Sequence, residues 1–253
     1  MTLEKNYSNL KVILVEPSGP LNVGSVARLC SNFDVEELRI VSPKCDIFSL
    51  EAKKMALKGQ KYLDQHKNFD NLEDAIFDCD LVIASCGRID LGKDVFLESS
   101  EDIFNWISSL RKIKNLAIVF GREDRGLTND ELLMANKTLN IPTSKNNPSL
   151  NLSHAVSIVL YELNKSLNKS SNKNLNGELG VFNPASSKQI NDSFVEIEEM
   201  LLRVGYLLEH TSRAKINKFK KFILRANTSM QEIYTLRGIV HQIKWFLDDS
   251  KRN

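Results

Sequence analysis

Four short apolar runs constrain this chain more than any other feature: "KVILVE" (11–16), "ELRIVS" (37–42), "LVIAS" (81–85) and "LAIVFG" (116–121). Each is short, rich in aliphatic residues and apolar without alternation, which is the pattern of a strand covered on both faces. A helical pattern follows each one. Strand and helix in alternation predict an α/β fold, a parallel sheet with helices on both faces. "LNIPTS" (139–144) reads as a fifth strand ended by Pro142. Helix starts are marked by Asn71 with Asp74 and by Thr128 with Glu131, pairs that can cap the free N–H groups of a first turn.

"SLNLSHAVSIVLYEL" (149–163) opens a long, mostly apolar helix, after which the composition changes to "NKSLNKSSNKNLNGELGVFNPASSK" (164–188), polar and poor in aliphatic clusters. The expected organisation is therefore a domain over 1–164, a linker over 165–188 and a helical extension over 189–253. In the extension, Ile190, Phe194, Ile197, Leu201, Val204 and Leu208 form one stripe of an amphipathic helix. A basic helix follows at about 212–226. A third opens on the capping pair Ser229 and Glu232 and carries Ile233, Leu236, Val240 and Ile243 on one face.

The 253 residues can bury a proper core, and 42 % hydrophobic with 26 % charged residues is the balance of a globular protein. The absence of a bilayer-length apolar run and of a signal-peptide pattern in "MTLEKNYSNLK" places the chain in the cytoplasm, with no membrane partner. Cys30, Cys45, Cys79 and Cys86 show neither C-x-x-C spacing nor histidines at ligand spacing, so free thiols and no metal are expected. Charge is uneven: 19 basic against 23 acidic residues up to 164, then 15 against 9. "RAKINKFKKFILR" holds Arg213, Lys215, Lys218, Lys220, Lys221 and Arg225 with no acidic residue. Such a run can bind nucleic-acid phosphates or be a solvated helix face, and charge alone does not choose.

"GRIDLGKD" (87–94) resembles a phosphate-binding loop, but Asp94 stands where that loop needs a Ser or Thr, and its carboxylate would repel phosphates. No G-x-G-x-x-G follows any strand. Three other stretches remain. "NVGSVARLC" (22–30) places Asn22 and Arg28 on the opening turns of a helix, after a break at Pro17, Gly19 and Pro20. "FGREDRGLTNDEL" (120–132) puts Glu123 between Gly121 and Gly126 at a strand's carboxyl end, where open parallel sheets bind ligands. "NPSLNLSHA" (147–155) sets Asn151 and Ser153 at a helix start, where both could simply cap, beside His154, which nothing in the sequence orients.

In order, N-x-G-x-x-A-R, G-x-E-x-x-G-L and S-L-N-L-S resemble the three motifs of the SpoU/TrmH (SPOUT) family of RNA ribose 2′-O-methyltransferases over residues 11–163. The resemblance implies a trefoil knot, an exception to unknotted chains, and S-adenosyl-L-methionine as cofactor. It gives Arg28 the central catalytic role, with Asn22 fixing its loop and Glu123, Asn151 and Ser153 completing the site. The implied cofactor residues are Ser85, Cys86, Gly87, Gly121, Ile141, Ser149, Leu150 and Asn151. A guanidinium keeps its proton, so Arg28 suits a hold on the substrate phosphate, the proton passing to that phosphate or to a perturbed arginine. Similar proteins are homodimers whose active site combines motifs from both subunits.

"FVEIEEMLLRVGYL" (194–207), "INKFKKFILRA" (216–226) and "QEIYTLRGIV" (231–240) look like the C-terminal extension of the TrmJ branch, which methylates a cytidine or uridine ribose at the 5′ edge of the tRNA anticodon loop. Where that branch often carries a tyrosine before the third motif, this chain has Asn147 and Pro148. The competing readings are an enzyme of the same chemistry acting on rRNA and a non-catalytic RNA-binding protein of the same fold.

Overall fold

A computed structural model describes residues 7–87, 95–110, 113–144, 146, 148–170, 185, 187–226 and 228–249, with backbone alone at 168–170, 187, 214, 221 and 225. Residues 88–94 and Asn147 lie outside the described residues, as does most of the expected linker. Contacts divide the chain into two units, Met1–Phe182 and Asn183–Asn253.

In chain order the first unit holds β1 (Tyr7–Val15), α1 (Pro20–Asn32), β2 (Glu37–Val41), α2 (Leu50–Ala56), a single 3₁₀ turn (Leu57–Gly59) and α3 (Gln60–Asp64). Next come β3 (Lys67–Phe69), α4 (Leu72–Ile76), β4 (Leu81–Ser85), β5 (Leu97–Ser99) and α5 (Ser100–Ser109). It closes with β6 (Ile113–Phe120), α6 (Asn129–Leu132), β7 (Lys137–Asn140) and α7 (Leu152–Ser170). The strands form one sheet in the order β3-β2-β1-β6-β4-β7-β5, and every pairing is parallel.

The first four expected strands are present, and burial on both faces explains their continuous apolar sequence; the fifth is displaced, β7 running over Lys137–Asn140 and stopping before Ile141 instead of covering 139–144. Along β1, Val12 and Leu14 join the cluster under α1, α5 and α7, whereas Ile13 and Val15 join the one under α4 and α6. β3 and β5 went unread because they are three-residue edge strands of sequence KNF and LES, with exposed or half-buried side chains and no apolar run to betray them. Both expected caps form: Asn71 accepts the Asp74 N–H, and Thr128 with Glu131 makes a full capping box. α7 runs six residues beyond 164 into the stretch read as linker, where Leu167 is buried in the core.

The second unit holds α8 (Ser187–Arg203), α9 (Glu209–Arg225) and α10 (Met230–Asp249) around Phe194, Ile197, Ile216, Ile223, Ile233 and Val240. Arg237–Glu196, Lys244–Glu199 and Arg203–Asp248 pairs tie α10 to α8. The stripe from Ile190 is cut short. α8 ends at Arg203, Gly205 turns the chain with φ 77°, and Val204 and Leu208 are exposed instead of continuing the buried face.

Candidate active site

Sheet order decides which loops meet. β1 and β6 are neighbours in register, Leu14 beside Phe120, so the loops leaving their carboxyl ends lie side by side. After β1, Glu16 takes a left-handed φ of 46°, and Gly19 ends the turn as the residue before Pro20, which opens α1. Its Cβ, if present, would come 3.0 Å from the Asn22 amide nitrogen and 3.2 Å from Glu123 Oε1, so the loop is closed by a residue without one.

Glu123 is the hub. Its Oε2 accepts the Ser18 N–H and hydroxyl, and its Oε1 accepts the Gly19 N–H and Asn22 Nδ2, all at 3.0 Å. Asn22 Oδ1 in turn accepts Asn151 Nδ2 at 3.0 Å, and Asn151 Oδ1 accepts the Ser153 N–H at 2.9 Å and hydroxyl at 2.7 Å. One hydrogen-bonded chain thus joins all three stretches singled out in the sequence. Burial alone would raise the Glu123 pKa, but donors from Asn22, Ser18 and Gly19 outweigh it and hold the carboxyl below its usual range.

Arg28 stands apart. It is six residues beyond Asn22, about 9 Å further along α1 and roughly 120° around it, exposed, and absent from both the chain of bonds and the cleft wall. His154 is also exposed and outside the cluster.

Beside the hub, the ends of β4, β6 and β7 and the start of α7 enclose an open cleft of about 210 Å³. Ser85, Cys86, Gly87, Gly121, Ile141, Ser149 and Leu150 line it, as does Glu123; Asn151 does not, because its amide is turned to Asn22. Sequence reasoning missed Phe120, Arg122, Arg125, Pro148, Leu152 and Ala155 in the same wall. For Arg122 and Arg125 the usable signal was their place just past the end of β6, whereas Pro148, Leu152 and Ala155 reach the wall with the start of α7. At Gly121 an added Cβ would lie 2.3 Å from the carbonyl carbon of Gly126 and the nitrogen of Leu127, so the loop folds back on glycine. Among the described residues no group of His, Cys, Asp and Glu could hold a metal, and no helix is long and apolar enough to cross a membrane.

On α9, Arg213, Lys215 and Lys218 are exposed and Lys220 is half-buried; the side chains of Lys221 and Arg225 lie outside the described residues. Lys215 and Lys218 share a face with exposed Phe222, at spacings of three and four. Lys215 Nζ also sits 5.1 Å from the ring centre of exposed Tyr206.

Residues 9–161 match the model of the SpoU rRNA Methylase family. The tRNA (cytidine-2'-O-)-methyltransferase TrmJ of Methanocaldococcus jannaschii is 36 % identical, over 90 % of this chain and 96 % of its own. The protein of the same name from Sulfolobus acidocaldarius is 33 % identical, over 92 % of this chain and 93 % of its own. Among solved structures, TrmJ from Z. mobilis ZM4 superposes with a TM-score of 0.78 at 25 % identity, covering 94 % of this chain and all of that one.

Proposed function

Because the chain belongs to the SpoU rRNA methylase family, we propose that it transfers a methyl group from S-adenosyl-L-methionine to the 2′-hydroxyl of a cytidine or uridine ribose in the anticodon loop of tRNA, in the cytoplasm. The observation that carries this reading is the bond chain Glu123–Asn22–Asn151–Ser153 beside a cleft at the carboxyl ends of a parallel sheet. The match to the two archaeal relatives runs through the C-terminal helices, which favours tRNA over the rRNA of the family's description.

The cleft fits the cofactor. It is open to solvent along one side, so a ligand can extend beyond its walls. Phe120, Ile141, Leu150 and Leu152 offer apolar walls, and the loops at 85–87, 121–126 and 148–150 offer backbone polar groups. Bound there, the cofactor supplies an electrophilic methyl group; the protein has to align the ribose hydroxyl and provide for its proton. The trefoil knot implied by the resemblance belongs to the same proposal.

Within the hub no side chain is a free base. The Glu123 oxygens are taken by four donors and its pKa is depressed, and the Ser153 hydroxyl is committed to Asn151. The hub fixes loops, and the substrate is held by Arg28, whose fork of donors suits a phosphate that accepts the hydroxyl's proton. Arg28 reaches a cleft through a second copy. It shares the outer side of α1 with exposed Leu21, on a helix packed against α2 and α7, and Leu50, Leu57, Ile158 and Tyr161 nearby are exposed too. An apolar face of this kind suits a homodimer.

The deciding experiment incubates the protein with total tRNA, separately with rRNA, and with isotope-labelled S-adenosylmethionine, followed by nucleoside mass spectrometry. Labelled 2′-O-methylcytidine or 2′-O-methyluridine in tRNA is expected. Label confined to rRNA moves the substrate, and no label together with no calorimetric heat on adding S-adenosylmethionine leaves the non-catalytic RNA-binding reading.

A further inference from the structure

Arg122 lies in the cleft wall, yet four of its five N–H donors are committed to protein. Nε donates to Glu16 Oε2 at 2.7 Å, Nη1 and Nη2 donate to the two oxygens of Glu131 at 2.9 and 3.0 Å, and Nη1 is 3.4 Å from the Gly126 carbonyl. Its side chain is only 9 % exposed. A guanidinium between two carboxylates has no charge left for a ligand, so Arg122 is not a binding group in its own right.

Its partners sit on three segments. Glu16 is the left-handed residue leaving β1, Gly126 closes the loop after β6 with φ 68°, and Glu131 belongs to α6, where its Oε2 also accepts the Thr128 N–H at 2.7 Å. The next residue, Glu123, grips Ser18, Gly19 and Asn22. Two consecutive side chains therefore pin the loop after β6 to the loop after β1 at separate points. A solvent-exposed ion pair would add little, whereas a bidentate, buried fork fixes geometry.

We propose that Arg122 is a positioning residue: through Glu16 and Glu131 it sets the backbone of 121–126 on which the cofactor rests, and with it the place of Glu123. This rests on the reading of the cleft as the cofactor site. The test is calorimetric titration of S-adenosylmethionine into wild type, Arg122→Lys, Arg122→Gln and Glu16→Gln. Glu16 is not in the cleft wall, so its loss reaches the ligand only through the arginines it holds.

Arg122→Gln should raise Kd about tenfold, equivalent to about 1.4 kcal/mol, and Glu16→Gln should raise it several-fold, both with unchanged stoichiometry. Arg122→Lys should fall between wild type and Arg122→Gln, because one ammonium cannot hold both carboxylates in a fixed fork. A merely structural role lowers stoichiometry, by unfolding part of the sample, and leaves the Kd of the folded fraction alone; that result in the Gln variants overturns the proposal. Should Arg122→Gln not fold, Glu16→Gln decides by itself. A wild type that binds no S-adenosylmethionine overturns the reading of the cleft, whereas tight wild-type binding with unchanged variants overturns only the role of Arg122.

Discussion

Glu123 carries its charge where four donors converge, and the consequence is a tie that acid should loosen. Its folded-state pKa is lowered, so the stabilisation is present above the unfolded value of about 4.3 and is lost as pH falls through the lower folded value. Glu123→Gln removes one acceptor oxygen and turns an NH₂ toward donors. It should destabilise by about 1 kcal/mol at neutral pH, the half-exposed site and solvent screening keeping the cost low. In denaturant unfolding the gap to wild type should narrow at pH 3; a gap equal at pH 3 and pH 7 would show that the carboxylate's charge is not what holds the loops. Arg28 makes the opposite case, a residue with no role in the cleft wall. Arg28→Ala should cut methyl transfer by at least about a hundredfold while S-adenosylmethionine binds as in wild type, and Arg28→Lys should be nearly as poor. Loss of cofactor affinity in step with rate would place Arg28 in the cofactor site after all.

At the scale of elements, what the sequence revealed follows how locally each feature is specified. Central strands are buried on both faces and so write continuous apolar runs, and caps such as Asn71, Thr128 and Ser229 act within three residues, so both were readable. The bond from Glu123 to Asn22 spans 101 positions and that from Asn151 to Asn22 spans 129, so they exist only because β1 lies beside β6 and the loops meet. Motif resemblance named these residues; it could not say that they bond one another. Gly24 is a sharper case. In the sequence it is one letter of N-x-G, but in the fold an added Cβ would lie 2.2 Å from the Ala52 carbonyl oxygen, and at Gly59 one would lie 2.3 Å from that of Ala27. Both glycines let neighbouring backbone close on the helix that carries Asn22 and Arg28. Gly24→Ala should therefore cost about 1–3 kcal/mol by overpacking. Gly238→Ala is the matched control, mid-helix in α10 with nothing within 4 Å of the new Cβ, and it should stabilise by roughly 0.5–1 kcal/mol. Thermal unfolding of the two variants reads both signs, and a neutral Gly24→Ala would mean that α1 and α2 can separate freely.

For the whole molecule, an acid-leaning sheet unit and a basic helical unit lead to the prediction that RNA affinity draws on the helical unit. The exposed face of α9 offers two kinds of contact that can be separated by experiment. Arg213, Lys215 and Lys218 suit phosphates, and their attraction depends on salt through counterion release, at about 0.9 in the slope of log affinity against log salt per contact on duplex RNA and about 0.7 on single strands. Tyr206 and Phe222 offer exposed rings beside those charges, and stacking on an unpaired base is worth about 1–3 kcal/mol. Replacing Arg213, Lys215 and Lys218 together with Gln should make the salt dependence of tRNA binding shallower by up to about two to three units, for every tRNA alike, because backbone contacts position without specifying. Tyr206→Ala should weaken binding with the slope unchanged, since it removes no charge. Cofactor affinity should stay at the wild-type value in both, because no residue of α9 is in the cleft wall. If affinity and slope survive the triple substitution, the basic run is a solvated helix face, and RNA is held by the sheet unit alone.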